Sequence, residues 1–119
     1  MPTISSLYHN RLRKKMRLEA DPTVQYALAQ KKQRKEKLYF KDYDIKHPYN
    51  TYNFKGLPPG PISNPGRDAL IAAINPTKTN YIYMVAHPLK RTHLFASTFD
   101  EHKKNIRTRN RIRKSANGN

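Results

Sequence analysis

The residues best suited to hold a sugar stand close together: Tyr49-Asn50-Thr51-Tyr52, then Gly56-Leu57-Pro58-Pro59-Gly60-Pro61-Ile62. Aromatic rings stack on the apolar faces of pyranoses, and Asn50 offers both a donor and an acceptor to an acetamido group. A rigid proline-rich backbone with Gly60 inside it presents amides at fixed positions. The same residues also make an ordinary surface connector, because turns require proline, glycine and asparagine for their own geometry. Composition alone favours the connector. Packing and turn formation explain Tyr49 to Tyr52 about as well as contact with a ligand does.

Proton transfer needs a carboxyl group, and the carboxylate of most interest is Asp21 in Asp21-Pro22-Thr23. It is a weak candidate for a catalytic acid, since an Asp before Pro-Thr more commonly forms a turn or caps a helix. Glu19, Glu36, Asp42, Asp44, Asp68, Asp100 and Glu101 stand in polar or cap-like settings where ordinary ionisation is expected. The histidines His9, His47, His87, His93 and His102 lack metal-motif spacing, so no metal site is expected. With no cysteine there is no thiol nucleophile, disulfide or cysteine-ligated metal. The chain has neither a phosphate-cradling glycine loop with lysine nor a Gly-x-Ser-x-Gly elbow, so nucleotide-dependent and serine-hydrolase chemistry have no support, and no cofactor is expected.

These residues need elements to position them. Ile4, Leu7, Tyr8 and Leu12 recur at helical spacing and predict a first helix running out near Met16 to Leu18. Asp21 or Thr23 is expected to cap a short second helix carrying Val24, Tyr26, Ala27 and Leu28. Lys31 to Lys37 reads as a solvated helix end or loop, and Leu38 to Phe54 as irregular structure held by its rings. Proline density excludes helix and central strand from Gly56 to Pro65. Asn64-Pro65 then predicts the start of a helix with an apolar edge of Leu70, Ile71 and Ile74, stopped by Asn75-Pro76.

Residues 81–86 and 92–96 are β-prone, and the five residues between them suit an antiparallel hairpin apolar on both faces. Thr98-Phe99-Asp100-Glu101 has the form of a capping box opening a C-terminal helix, with Ser115 to Asn119 expected to fray. The class expected is α+β, with helices flanking a small antiparallel sheet. Residues 1–102 form one domain portion and 103–119 a basic extension.

Twenty-four Lys and Arg against eight Asp and Glu give a formal net charge of +16, enough to attract polyanions. Seven basic residues and no acidic ones lie between Lys103 and Lys114. A small basic nucleic-acid-binding module is therefore the alternative reading, although no helix-turn-helix, RNA-recognition or zinc-finger context accompanies the charge. The sequence has no run of apolar residues long enough to cross a membrane and no signal-peptide order at its start.

Several ordered motifs together resemble the YceG-like endolytic murein transglycosylases. They are Asn10-Arg11-Leu12, Asp21-Pro22-Thr23, Tyr49-Asn50-Thr51-Tyr52, Gly56 to Ile62, Asn64-Pro65-Gly66, Ala72-Ala73-Ile74-Asn75-Pro76, Lys78-Thr79-Asn80-Tyr81, and His93-Leu94-Phe95 leading to His102. The resemblance implies the C-terminal portion of a catalytic domain that cleaves the β-1,4 bond between N-acetylmuramic acid and N-acetylglucosamine without water, leaving a 1,6-anhydro end. In that family one glutamate serves as acid and then base, in a segment upstream of the first helix, so this chain by itself is expected to lack the acid.

The LysM-like region and the membrane anchor of the family are likewise not seen here. The implied substrate-binding set is Asp21, Thr23, Tyr49, Asn50, Thr51, Tyr52, Leu57, Pro58, Pro59 and Gly60. The implied partners are peptidoglycan glycan strands and other cell-wall synthesis proteins, and the implied location is the outer face of the bacterial inner membrane.

Overall fold

A computed structural model of the chain describes residues 2–31, 33 and 37–118. Its elements are helices α1 (Pro2–Arg13), α2 (Asp21–Gln30), α3 (Arg67–Ile74) and α4 (Phe99–Gly118), a 3-10 turn at Phe40–Asp44, and strands β1 (Tyr83–Ala86) and β2 (His93–Ala96). The class is α+β. Two compact units are present, one of residues 1–10 with 75–119 and the other of residues 11–74.

Helix α1 stops at Arg13, earlier than its apolar spacing predicts. Lys15 adopts a left-handed backbone, φ 58°. The Lys15 N–H donates to the Leu12 carbonyl and the Met16 N–H to the Arg11 carbonyl, so orphan carbonyls of the last turn are satisfied by a reversal of the chain. Arg11 is buried, and its guanidinium donates to the carbonyls of Arg17 (3.3 Å) and Leu18 (2.9 Å), which holds the reversed segment against the helix end.

Helix α2 buries Thr23, Val24, Ala27 and Leu28 along one face. Neither Asp21 nor Thr23 caps it. Ala20 occupies the cap position without a side-chain bond, and Thr23 instead donates its hydroxyl to the Ala20 carbonyl at 2.6 Å. Pro22 in the first turn is tolerated there because the first N–H groups of a helix have no intrahelical acceptor.

From 37 to 66 the only regular structure described is the 3-10 turn at Phe40–Asp44, so backbone polar groups must find side-chain partners. Asn50, fully buried, supplies three of them: its amide donates to the carbonyls of Tyr43 (3.0 Å) and Ile45 (2.8 Å), and its oxygen accepts the Tyr52 N–H (3.0 Å). Asp42 is also buried, and its carboxylate accepts the Tyr39 N–H at 2.8 Å. The expectation that rings hold this stretch is met only in part, because Phe40 is 96% exposed. Glu36 and most of the basic run before Lys37 lie outside the described residues.

Helix α3 begins at Arg67, and the Leu70 N–H donates to the Gly66 carbonyl, so the start falls after the predicted Asn64-Pro65. Its buried residue is Ala72, while Leu70, Ile71 and Ile74 are exposed. The apolar edge read from the sequence is thus not the face this unit covers.

In the other unit β1 and β2 pair antiparallel with Tyr83 opposite Ala96 and Ala86 opposite His93. The strands are shorter than 81–86 and 92–96, although the Ile82 N–H still reaches the Ala96 carbonyl. Helix α4 packs on both strands. His102 stacks on Tyr83 at 4.9 Å, and Asn105 donates to the Phe95 carbonyl at 3.0 Å.

Thr98 caps α4 by accepting the Glu101 N–H at 3.2 Å, and its hydroxyl donates to the Glu101 carboxylate. The helix extends to Gly118, with no proline interrupting it. Within the same unit Asn10 on α1 donates to the carbonyls of Thr79 and Tyr81, both at 2.9 Å, and the Ser6 and Thr79 hydroxyls are 2.6 Å apart.

Two stability outcomes follow from local geometry. Lys15→Gly relieves the left-handed strain, partly offset by the greater unfolded-state freedom of glycine, for a net gain of about 0.5 kcal/mol; Lys15→Val loses about 1 kcal/mol. Asn50→Ala strands the Tyr43 carbonyl and the Tyr52 N–H in the interior, while the Ile45 carbonyl keeps the Asn53 amide, and costs about 2 kcal/mol. Urea denaturation of the three variants checks both.

Candidate functional site

The unit of residues 11–74 brings Asp21-Pro22-Thr23 and Tyr49-Asn50-Thr51-Tyr52 together. Thr51 is the joint. Its hydroxyl oxygen lies 2.8 Å from that of Thr23 and accepts the Ala20 N–H at 2.9 Å, while its carbonyl accepts the Glu19 N–H. Thr23 and Thr51 are both buried, so this contact fixes the start of α2 against the turn that carries the tyrosines.

Above that joint, Asp21 is exposed, and each of its carboxylate oxygens accepts a phenol. The Tyr52 hydroxyl donates to one at 2.6 Å and the Tyr43 hydroxyl to the other at 3.3 Å. The two rings meet edge to face with centroids 4.7 Å apart, so each phenol is aimed by its neighbour as well as by the acid. Asp21 also sits in the first turn of α2, where the helix dipole favours negative charge.

Burial raises the Tyr52 pKa well above the usual tyrosine value, with the hydrogen bond to Asp21 and its charge acting in the same direction. Burial and Asp21 raise Tyr43 as well. Both phenols hold their protons at neutral pH and donate them to Asp21. The arrangement uses Asp21 as an acceptor and leaves its remaining lone pairs facing solvent, where a sugar hydroxyl or amide N–H can reach them.

The remaining residues of the implied substrate set divide by exposure. Asn50 and Thr51 are buried and spend their polar atoms on the fold. Tyr49 lies half-buried against Tyr26, ring centroids 4.6 Å apart, and near His47 at 5.9 Å. Leu57 and Pro59 are exposed, Pro58 and Gly60 half-buried. A Cβ at Gly60 would stand 3.0 Å from the Tyr49 hydroxyl, so the proline loop passes close to the tyrosine turn at a point that suits glycine. Gly56, at φ 88°, makes the bend that starts the loop.

A shallow hollow lined by Lys46, His47, Pro48 and Phe54 flanks the same turn. Tyr43 is the contributor that sequence reasoning missed; its place in a mixed aromatic run gave no sign that it would share Asp21 with Tyr52. Among the described residues, no group of three or more His, Asp or Glu is placed to hold a metal ion.

The Tyr52 phenol has a testable titration. Its raised value in the folded chain means that its contribution to stability is complete below about pH 10 and is lost as pH rises further. Ultraviolet difference titration, with Tyr52→Phe to assign the signal, is expected to show Tyr52 ionising above that ordinary value. Asp21→Asn is expected to bring it down only partway, because burial is the larger cause.

The sequence model of the YceG-like family matches residues 1–108. The chain is 46% identical over 101 residues to an endolytic murein transglycosylase of Bacillus subtilis, covering 85% of this chain and 27% of that protein. It is 33% identical over 106 residues to an endolytic murein transglycosylase of Streptococcus pneumoniae, covering 87% of this chain and 19% of that one. The chain thus spans about a quarter or less of the curated relatives it matches. A crystal structure of a yceG-like protein of Listeria monocytogenes superposes with TM-score 0.80 at 46% identity, covering 87% of this chain and 33% of that chain. With most of its length matched and its fold shared, this chain belongs to the YceG-like family.

Proposed function

We propose that this chain forms part of the glycan-handling region of an endolytic murein transglycosylase, an enzyme that cleaves the bond between N-acetylmuramic acid and N-acetylglucosamine and leaves 1,6-anhydro ends. The observation that carries this reading is the exposed Asp21 carboxylate with two phenols on it, in a chain 46% identical to a protein of that name. Asp21 accepts hydrogen bonds from a glycan, and the Tyr52 and Tyr43 rings form the wall beside it, while the Leu57 to Gly60 loop extends the surface from the Tyr49 side. Tyr49, Asn50, Thr51 and Thr23 act beneath that wall by holding it in place.

The proton donor in this proposal is the glutamate that the family resemblance puts upstream of α1. That group protonates the leaving glycosidic oxygen and then, as carboxylate, takes the proton from the muramyl C6 hydroxyl that attacks the anomeric carbon. Asp21 is assigned to binding and not to that transfer, since its carboxylate is already engaged by the Tyr52 and Tyr43 phenols. The reaction belongs on the outer face of the cytoplasmic membrane, where glycan strands are.

The chain alone is expected to be retained by purified glycan strands without cutting them, and a longer protein carrying the upstream glutamate is expected to release 1,6-anhydromuramyl ends by mass spectrometry. In the longer protein Tyr52→Phe deletes one donor to Asp21 and raises KM about fivefold, from about 1 kcal/mol of positioning, with kcat little changed. Products lacking the anhydro ring, or an unaltered KM in that variant, would refute the assignment.

A further inference from the structure

Helix α4 carries more cation than its packing uses. From Lys103 onward no acidic residue stands on it among the described residues, and one face is committed to the hairpin through His102 on Tyr83 and Asn105 on the Phe95 carbonyl. At 3.6 residues per turn, Lys103, Lys104, Arg107, Arg111 and Lys114 fall within an arc of about 100° on another face, in a stripe about 16 Å long. All five are exposed. Lys103 makes a 3.6 Å ion pair with Asp100 at the stripe's end and stands over the Phe99 ring.

We infer that this stripe is a binding surface for a phosphodiester-linked polyol chain of the cell wall. Its cations recur about once per helical turn, about 5.4 Å, a spacing that lets a flexible polyanion lay successive phosphates along it and release counterions. The one exposed ring beside the stripe is Phe99, under Lys103 at its N-terminal end, so successive bases of a nucleic acid find no run of stacking platforms along it. Its five positions carry no apolar side chain, and Ile106 and Ile112 lie half-buried off the stripe, so a single exposed ring, Phe99, is all that stands beside it for insertion into a bilayer.

The family match ends at residue 108, so Arg111 and Lys114 lie beyond it and the full stripe is a property of this chain rather than of the matched portion. The choice of a wall polymer rests on the murein reading above, whereas the stripe itself does not.

The test uses the whole chain and three probes at equal phosphate concentration: synthetic poly(glycerol phosphate), single-stranded polyuridylate, and vesicles of one part phosphatidylglycerol to three parts phosphatidylcholine. The stripe variant K103Q/R107Q/R111Q/K114Q is compared with a control, K14Q/K41Q/K46Q/K55Q, that removes the same charge from exposed lysines of the other unit. Circular dichroism of both confirms the fold. Poly(glycerol phosphate) is expected to bind at least tenfold more tightly than the other two probes. The stripe variant is expected to flatten the log–log salt dependence by about 3, from four lost contacts on a single chain, with the control unchanged.

Equal losses in both variants would show that net charge and not the stripe binds, and tighter binding to the polyuridylate or the vesicles would assign the surface to a different partner. Either result overturns the inference. Retention on phosphate-free glycan strands is scored separately, so its loss speaks against the murein reading and not against the stripe.

Discussion

The contact on which the unit of residues 11–74 depends is the buried meeting of Thr23 and Thr51. Among the described residues this segment, with two helices and one short 3-10 turn, has no sheet ladder, so interior N–H and carbonyl groups that helices and turns leave over need side-chain partners. Thr51 accepts the Ala20 N–H, Thr23 donates to the Ala20 carbonyl, and Asn50 next door serves two carbonyls and an N–H. Each bond is worth only about 1 kcal/mol net, yet leaving any of these groups unpaired in the interior costs about 1–3 kcal/mol. The network therefore specifies one arrangement more strongly than its summed energy suggests.

That arrangement is what places Asp21 within reach of Tyr52 and Tyr43. Asp21 is two residues from Thr23 and Tyr52 is the neighbour of Thr51, so the buried pair and the exposed cluster are parts of one connection. A surface carboxylate held by two flexible partners contributes little to stability. Held by two phenols whose rings brace each other at 4.7 Å, it gains a fixed direction, which is what recognition of a hydroxyl-rich ligand needs. Positioning comes from the threonines and asparagine, and the accepting chemistry from the aspartate.

Much of this was legible beforehand and some was not, for identifiable reasons. The hairpin and the capped, basic α4 followed from β-prone alternation and from Thr98 with Glu101, both local signals. Helix α1 ended early because a lysine, not a glycine, took the left-handed position, and Lys15 carries no compositional mark of that conformation. The Leu70, Ile71 and Ile74 edge of α3 was legible as an apolar edge, but helical spacing identifies which residues are apolar together and not whether the same unit covers them. At the site, spacing revealed the motifs and hid their partners. That Asn50 points inward and Tyr43 reaches Asp21 depends on contacts across gaps of 5 to 22 residues, which no local pattern encodes.

Several of the family motifs meet in pairs, two of them through hydrogen bonds. Asn10 of Asn-Arg-Leu binds the carbonyls of Thr79 and Tyr81 in Lys-Thr-Asn-Tyr, Thr23 of Asp-Pro-Thr meets Thr51 of Tyr-Asn-Thr-Tyr, and Gly60 of the proline loop makes room for Tyr49. A short motif alone is weak grounds for a fold, because turns and caps reuse the same few residues. When both halves of several such pairs occur in order, each constrains the other, and chance explains the set poorly. The proline loop illustrates the point: its residues alone favour a plain connector, and the close approach of Gly60 to the Tyr49 hydroxyl is what ties it to the Tyr-Asn-Thr-Tyr turn.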